Sequence, residues 1–173
     1  MTDLLQRAAD EAAITRLLYA YCDAVDANRI DEIVALFTAD AVFDLGYGRV
    51  YTGLAELARA FGQLGLYRAT SHDLSTVVIE FDDDDTARCR SHVYAFHLRA
   101  DDGAPVHLWG RYYDVVVRAG GTWAIASRQL RAAAELGAPP APGRPGRWEP
   151  AERRSDGVST RERTSSSRRL SCR

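Results

Sequence analysis

The sequence predicts an α+β domain in which a strongly curved antiparallel β-sheet wraps around N-terminal helices. Helical periodicity is concentrated in the first 65 residues, where it is interrupted by one hairpin signal, and four β-rich runs follow from His72 onward. Segregation of helices from antiparallel strands is typical of this class. A sheet bent around a helix pair forms a cone with a central apolar pocket, and such pockets are common ligand sites.

Three segments have the spacing of helices. In residues 3–28, Leu18, Cys22 and Asp26 lie four positions apart, which predicts one long helix with an apolar face. Asp31 is a favourable N-cap residue and would begin a second, short helix over DEIVALF. The segment LAELARAFGQL returns to helical periodicity and predicts a third helix.

The remaining segments have the composition of strands. AVFDL and RVYTG are joined through the turn residues GYG and predict an early hairpin. Four longer runs then alternate with the turn signals DDDD, DDGAP and GG, which predicts a four-stranded antiparallel meander. The runs are STVVIEF, TARCRSHVYAFHLRA, VHLWGRYYDVVVRA and TWAIASRQLRA, with His72 opening the first of the long strands.

The predicted domain covers residues 1–136, and residues 137–173 are expected to form a disordered tail. This tail is rich in Pro, Gly, Ser and Arg and contains too few apolar residues to offset its ordering entropy. Residues 138–173 carry nine Arg against four acids, whereas the rest of the chain carries 13 basic and 20 acidic residues. An arginine-rich arm that binds anionic partners is the alternative interpretation of the tail.

Composition excludes several other classes of protein. No apolar stretch approaches the roughly 18 residues of a membrane span, and the N-terminus lacks the pattern of a signal peptide, so we expect a cytoplasmic protein. The domain lacks a basic, aromatic-studded face for nucleic acid. Three cysteines without a CxxC pair favour reduced thiols over a disulfide framework or a zinc site. The DDDD turn is interpreted as a solvated charged turn rather than a calcium loop, whose ligands are spaced differently.

Two histidines in CRSHVYAFHLRA, His92 and His97, are five positions apart and should therefore point to opposite faces of their strand. The concave side of a tightly curved sheet has room mainly for small side chains. His97 shares its face with small residues and is expected to point into the cone, whereas His92 is expected to point outward. The small residues are Ala87, Cys89, Ser91, Val93 and Ala95.

On the next strand, the corresponding inward positions are Leu108, Gly110 and Tyr112, and the Tyr112 hydroxyl could bind a substrate oxygen. On the first helix, Asp26 falls on the apolar face near the C-terminal end. Low dielectric and the helix dipole both penalise a carboxylate there, so a buried Asp26 requires a compensating partner. The alternative is that Asp26 is solvated in the DANRID turn.

Two strings carry a resemblance to a known family. YCDAVDANRIDEIVALFTADAVFD is similar to the first helix, helix turn and first strand of the SnoaL-like branch of the nuclear transport factor 2 superfamily, and GRYYDVVVRAGGTWAIASRQLR is similar to its last hairpin. The resemblance covers about residues 8–134 and implies a cone-shaped α+β fold. It does not specify the reaction, since the superfamily includes dehydratases, cyclases, isomerases and non-catalytic subunits.

The resemblance also implies roles for particular residues. In the family's dehydratases an Asp at the position of Asp26 pairs with an active-site histidine, and His72 resembles the first such histidine. The separation of 25 residues between His72 and His97 is similar to that of the two histidines in scytalone dehydratases. Tyr21, five residues before Asp26, resembles the tyrosine of bile acid 7α-dehydratases. Scytalone dehydratases carry small polar residues where Gly110 and Tyr112 stand here, so the resemblance does not imply the same substrate.

We therefore expect a cofactor-free acid-base enzyme, a dehydratase or a cyclase, acting on a small apolar oxygenated molecule such as a polyketide-type intermediate. The predicted catalytic residues are His72, His97, Asp26 and Tyr21, and the predicted substrate-binding residues are Tyr112, Cys22 and Leu18, with no metal site. The alternative is a non-catalytic scaffold or ligand-binding module, such as the β subunit of a ring-hydroxylating dioxygenase. Outward aromatic residues, Tyr94, Phe96 and Trp109, suggest a homodimer or homotrimer formed through the convex face.

Overall fold

A computed structural model describes residues 2–137, with side chains described from residue 4. The predicted tail lies outside the described residues from position 138 onward. The helices are α1 (Thr2–Asp26), α2 (Ile30–Ala35) and α3 (Leu54–Phe61), the last followed by a 3₁₀ turn over Gly62–Leu66. The strands are β1 (Phe37–Asp44), β2 (Val50–Thr52), β3 (Tyr67–Phe81), β4 (Thr86–Arg99), β5 (Pro105–Ala119) and β6 (Thr122–Leu136).

All six strands belong to one sheet, in the order β2-β1-β6-β5-β4-β3. Strands β3 to β6 form the predicted antiparallel meander, and the hairpin β1–β2 extends it at the β6 edge. The pairing of β1 with β6 is parallel, so the predicted antiparallel sheet contains one parallel pair. The chain leaves α2 beside the start of β6, where the Ile125 amide donates to the Leu36 carbonyl over 2.8 Å, so β1 must run in the same direction as β6.

The core lies between the concave face of the sheet and the apolar face of α1. Ile14, Leu18 and Val25 of α1 are buried against inward residues of the strands. At one side of the cone, the rings of Phe37, Phe43 and Phe61 pack on one another and on the ring of Tyr21, at centroid distances of 5.3 to 6.2 Å. Each buried aromatic side chain of this kind contributes about 1.5–3 kcal/mol relative to its exposed state.

Three predicted boundaries differ from the structure. Helix α1 ends at Asp26, two residues before the predicted end. Helix α2 begins at Ile30, so Asp31 lies in its first turn and Arg29 takes the N-cap position, without a side-chain cap. Strand β3 begins at Tyr67 rather than at His72, because the residues before His72 pair with the end of β4 despite their weak strand composition.

The tetra-aspartate turn between β3 and β4 is not simply solvated, because three of its four carboxylates contact arginines. Arg118 Nε lies 2.9 Å from Asp85 Oδ1, and its Nη2 lies 2.9 Å from Asp10 on α1. Arg7 and Arg88 contact Asp84 and Asp82, respectively. Exposed ion pairs stabilise little individually, about 0–1 kcal/mol each, but this set connects α1 with the ends of two strand hairpins.

No helix within residues 2–137 combines the length and the apolar character that a membrane span needs.

Candidate active site

Strand β4 places its two histidines on opposite faces, as its alternation predicts. Ala95 and Val93 are buried on the concave face with His97, whereas Arg88 and Arg90 are exposed on the convex face with His92. Within β5 the inward position of Tyr112 is also as predicted. His97 therefore lies inside the cone, on the concave face of the curved sheet, and His92 lies outside it.

The carboxylate of Asp26, the last residue of α1, is hydrogen-bonded to strand β3. His72 Nδ1 lies 2.7 Å from Asp26 Oδ1, and the backbone amide of His72 donates to Oδ2 over 2.8 Å. The hydroxyl of Thr70 donates to Oδ1 over 2.9 Å. Burial alone would raise the pKa of Asp26, but these hydrogen bonds outweigh it and hold the pKa below its usual value. Asp26 is therefore an ionised, fixed partner of the His72 ring.

His97 completes this cluster from β4. Its ring centroid lies 5.1 Å from that of His72, with the two rings nearly perpendicular, and 4.6 Å from the ring of Tyr67. Desolvation, and to a smaller extent repulsion by His72, lowers the pKa of His97 to about 4, although the charge of Asp26 opposes both. His97 is therefore neutral near pH 7, so the two histidines differ in their electrostatic environment.

A second polar cluster lies deeper in the cone and includes an arginine that the sequence analysis did not identify. Arg128 of β6 is 1% exposed and forms a two-pronged ion pair with Asp114 of β5, with both N–O distances at 2.8 Å. Its guanidinium carbon lies 4.0 Å from the ring centroid of Tyr21 and 4.3 Å from that of Tyr112. The available signal was Asp114 itself, a single acid between the apolar runs of GRYYDVVV, which needs a buried partner on a neighbouring strand.

This cluster retains unused hydrogen-bonding capacity. Arg128 Nη1 and Ser91 Oγ are buried without a hydrogen-bond partner among the described residues. Burial raises the pKa of Tyr21 to about 12 and raises that of Tyr112 well above its usual value, so both phenols remain protonated. Buried groups of this kind normally find a partner, and a bound ligand or water would supply one.

The other predicted contact residues line the same interior. Burial raises the pKa of the Cys22 thiol to about 12, which makes Cys22 a neutral wall residue rather than a nucleophile. Leu18 is completely buried in the core. The structure thus brings Asp26, His72 and His97 together at one end of the cone and places Tyr21 and Tyr112 with Arg128 further inside. Among the described residues, no three His, Cys, Asp or Glu side chains form a metal-binding group.

Two cavities lie outside the cluster of Asp26, His72 and His97. One, of about 460 Å³, is a groove between α1 and the β5–β6 hairpin that is lined by Arg16, Arg118 and Trp123. The other, of about 240 Å³, is lined by residues of β1, β4, β5 and β6, which include Val42, Tyr113 and the Asp114–Arg128 pair. Neither is lined by Asp26, His72 or His97, and aromatic rings fill much of the interior at the level of Tyr21.

Comparison with known families then identifies the fold. The model of the SnoaL-like domain matches residues 6–129, which include most of α1, all of α2 and α3, and most of the sheet. The chain belongs to the SnoaL-like family. The SnoaL-like resemblance predicted from the first helix and the last hairpin is thereby confirmed.

Solved structures agree with the SnoaL-like assignment. A candidate scytalone dehydratase from Novosphingobium aromaticivorans is 29% identical, with a TM-score of 0.76 over 82% of this chain and 94% of that chain. A candidate aromatic ring hydroxylase from the same organism is 30% identical, with a TM-score of 0.71 over 75% and 94%. A hexachlorocyclohexane dehydrochlorinase, LinA-type3, from Novosphingobium barchaimii is 18% identical, with a TM-score of 0.71 over 84% and 99%, which supports the fold alone. No curated protein matches the chain.

Proposed function

We propose that this SnoaL-like protein is a cofactor-free acid-base enzyme of the lyase type, a dehydratase, acting on a small apolar oxygenated metabolite such as a polyketide-type intermediate. The observation that carries the proposal is the His72–Asp26 pair, with its 2.7 Å contact, beside the neutral ring of His97. The relative named as a candidate scytalone dehydratase supports the same class of reaction.

In this proposal His72 is the base. Its Nδ1 is bonded to Asp26, so Nε2 is the nitrogen that is free to take a proton from a carbon next to a substrate carbonyl. The electron pair of that C–H bond forms a C=C bond as the C–O bond at the next carbon breaks. The His72 imidazolium, stabilised by Asp26, returns the proton to the departing hydroxyl, which leaves as water. A well-placed acid-base group contributes typically 10²- to 10⁴-fold to such a step.

In this proposal His97 does not transfer a proton as His72 does, but acts as a hydrogen-bond donor. Because its pKa is about 4, it carries a neutral ring, and its N–H can donate a hydrogen bond to the substrate carbonyl as negative charge develops there. No hydrogen bond joins the His97 ring to another residue within the described part of the chain, so this N–H remains available.

The deeper cluster would hold a second oxygen of the substrate. Arg128 Nη1 lacks a partner among the described residues, and the protonated phenols of Tyr21 and Tyr112 lie against the same guanidinium. Cys22 and Leu18 would contribute apolar wall. The same groups could instead assist ring closure, with His72 removing a proton from a hydroxyl that attacks a carbonyl carbon.

A second candidate function is a non-catalytic scaffold or ligand-binding module, such as the β subunit of a ring-hydroxylating dioxygenase. Two observations favour it: the rings of Tyr21, Phe37 and Phe61 occupy the interior, and one relative is named as a candidate aromatic ring hydroxylase. A scaffold does not require an ionised carboxylate fixed against an imidazole inside the cone, which is why we prefer the enzyme.

The test uses a panel of β-hydroxy carbonyl compounds of the polyketide type and follows the absorbance of the conjugated product. We expect His72→Ala to abolish turnover, and His97→Ala to lower kcat about 10²- to 10³-fold, as loss of an oxyanion donor does. Both variants should melt within a few degrees of the wild type. His92→Ala, on the convex face, is the matched control and should retain turnover; equal activity of the three variants would exclude the acid-base mechanism.

A further inference from the structure

We infer that Thr70 is a positioning residue, which holds Asp26 in the orientation that prepares His72 as a base. The inference rests on the proposed acid-base function, although its geometry is independent of any substrate. Thr70 lies two residues before His72 on β3, so both side chains lie on the same face of the strand, toward α1. The residue between them, Ser71, is exposed on the other face.

Within the described part of the chain, three donors bind the carboxylate of Asp26, and all of them come from β3. Oδ1 accepts from the Thr70 hydroxyl over 2.9 Å and contacts His72 Nδ1 over 2.7 Å, while Oδ2 accepts from the His72 backbone amide over 2.8 Å. Strand β3 is at the edge of the sheet, so this amide is free to turn toward the end of α1. The backbone amide alone would allow the carboxylate to rotate about its bond to the rest of Asp26.

The Thr70 hydroxyl removes this freedom. With the Thr70 hydroxyl and His72 Nδ1 both on Oδ1 and the His72 amide on Oδ2, the carboxylate is held with Oδ1 at Nδ1. An ionised carboxylate can only accept, so the contact requires the proton of His72 to reside on Nδ1 and leaves the Nε2 lone pair free. The hydroxyl also helps to keep the carboxylate ionised, since its hydrogen bond lowers the pKa of Asp26.

Thr70 also connects the two histidines. In the pairing of β3 with β4, Thr70 lies directly opposite His97, and His72 lies opposite Ala95. The Cβ atoms of such cross-strand partners are about 4.5–5.5 Å apart. Movement of Asp26 would therefore alter the distance between Nε2 of His72 and the ring of His97. A substrate that contacts both histidines requires this distance to be fixed.

The test compares Thr70→Val, which keeps the shape of the side chain but removes the hydroxyl, with Thr70→Ser, which keeps the hydroxyl. Ser71→Ala removes a hydroxyl from the opposite face of the same strand and is the matched control. The first measurement, on the full chain without substrate, is the ring ¹⁵N NMR spectrum of His72, which reports the tautomer. The second is a ¹³C titration of the Asp26 carboxyl.

We expect Thr70→Val to increase the tautomer of His72 protonated at Nε2 and to raise the pKa of Asp26, while Thr70→Ser and Ser71→Ala resemble the wild type. With a turned-over substrate, kcat should fall about tenfold in Thr70→Val with little change in KM, because a charge-assisted hydrogen bond of about 1.4 kcal/mol or more is lost.

A wild-type tautomer population and a wild-type Asp26 titration in Thr70→Val would overturn the inference. If no compound of the panel is turned over but the NMR changes occur, the proposed function fails and the positioning role stands. If Thr70→Val folds poorly, Thr70→Ala replaces it, because it also removes the hydroxyl. The melting temperature of Thr70→Ala is then compared with that of Ser71→Ala.

Discussion

The lowered pKa of His97 predicts a specific pH dependence of stability. The folded protein holds this pKa at about 4, against an ordinary pKa of 6.5 for histidine in the unfolded chain. Between these values the unfolded chain binds a proton that the folded protein does not, so stability falls as the pH is lowered from above 6.5 toward 4. If both values applied in full, a change from pH 8 to pH 5 would remove about 2 kcal/mol. His97 is only partly buried, and we expect about 1–2 kcal/mol after solvent screening.

The assay is urea unfolding at pH 8 and pH 5 of the wild type, His97→Gln and His92→Gln. His97→Gln should lose about 1–2 kcal/mol less than the wild type between the two conditions, because its interior side chain cannot bind the proton. Asp26 does not interfere in this range: its pKa is lowered from 3.8, so its contribution is lost only at more acidic pH. If His92→Gln reduced the pH dependence as much as His97→Gln, the effect would not reside in the interior ring, and the reasoning would be wrong.

Three further variants test other parts of the molecule. Arg128→Met leaves Asp114 buried and unpaired and should lower the free energy of unfolding by about 3–5 kcal/mol, as measured in urea, whereas adding Asp114→Asn should restore part of it. Phe43→Ala removes a buried ring that stacks on Phe61 at 5.3 Å and should destabilise by about 3–5 kcal/mol; a loss below 1 kcal/mol would mean that the ring is not part of the packed core. Trp109→Arg places a charge on the convex face at a side chain that is 44% exposed; light scattering should then give the mass of a monomer, and an unchanged multimer would exclude this face as the interface.

Alternation along the strands is what made much of the fold predictable. The small residues on one side of β4 predicted that His97 faces inward, and the turn signals predicted the β3–β6 meander. These signals are local, because a period of two and a turn of few residues are properties of a short stretch of chain. The pairing of Asp26 with a histidine was predicted from the family resemblance, and the structure places His72 in that contact.

Features that depend on distant segments were not predictable in this way. The parallel contact of β1 with β6 joins strands about 80 residues apart, and no local pattern encodes it. Bulges shift the register of β3 near Thr76, which has a φ of 52°, and of β6 at Ala126, opposite Val115 and Val116. The second of these shifts lies beside Arg128, so simple alternation along β6 could not assign the face of this arginine.

The hydrogen bonds between Asp26 and His72 cross from the final residue of α1 to an edge strand. Helix ends and sheet edges are among the first parts of native proteins to open, whereas the β4–β6 centre of the sheet should be the last. Heating would therefore separate these two residues while most of the molecule is still intact. Loss of the proposed activity would begin several degrees below the cooperative loss of the circular dichroism signal and would reverse fully on cooling from that interval.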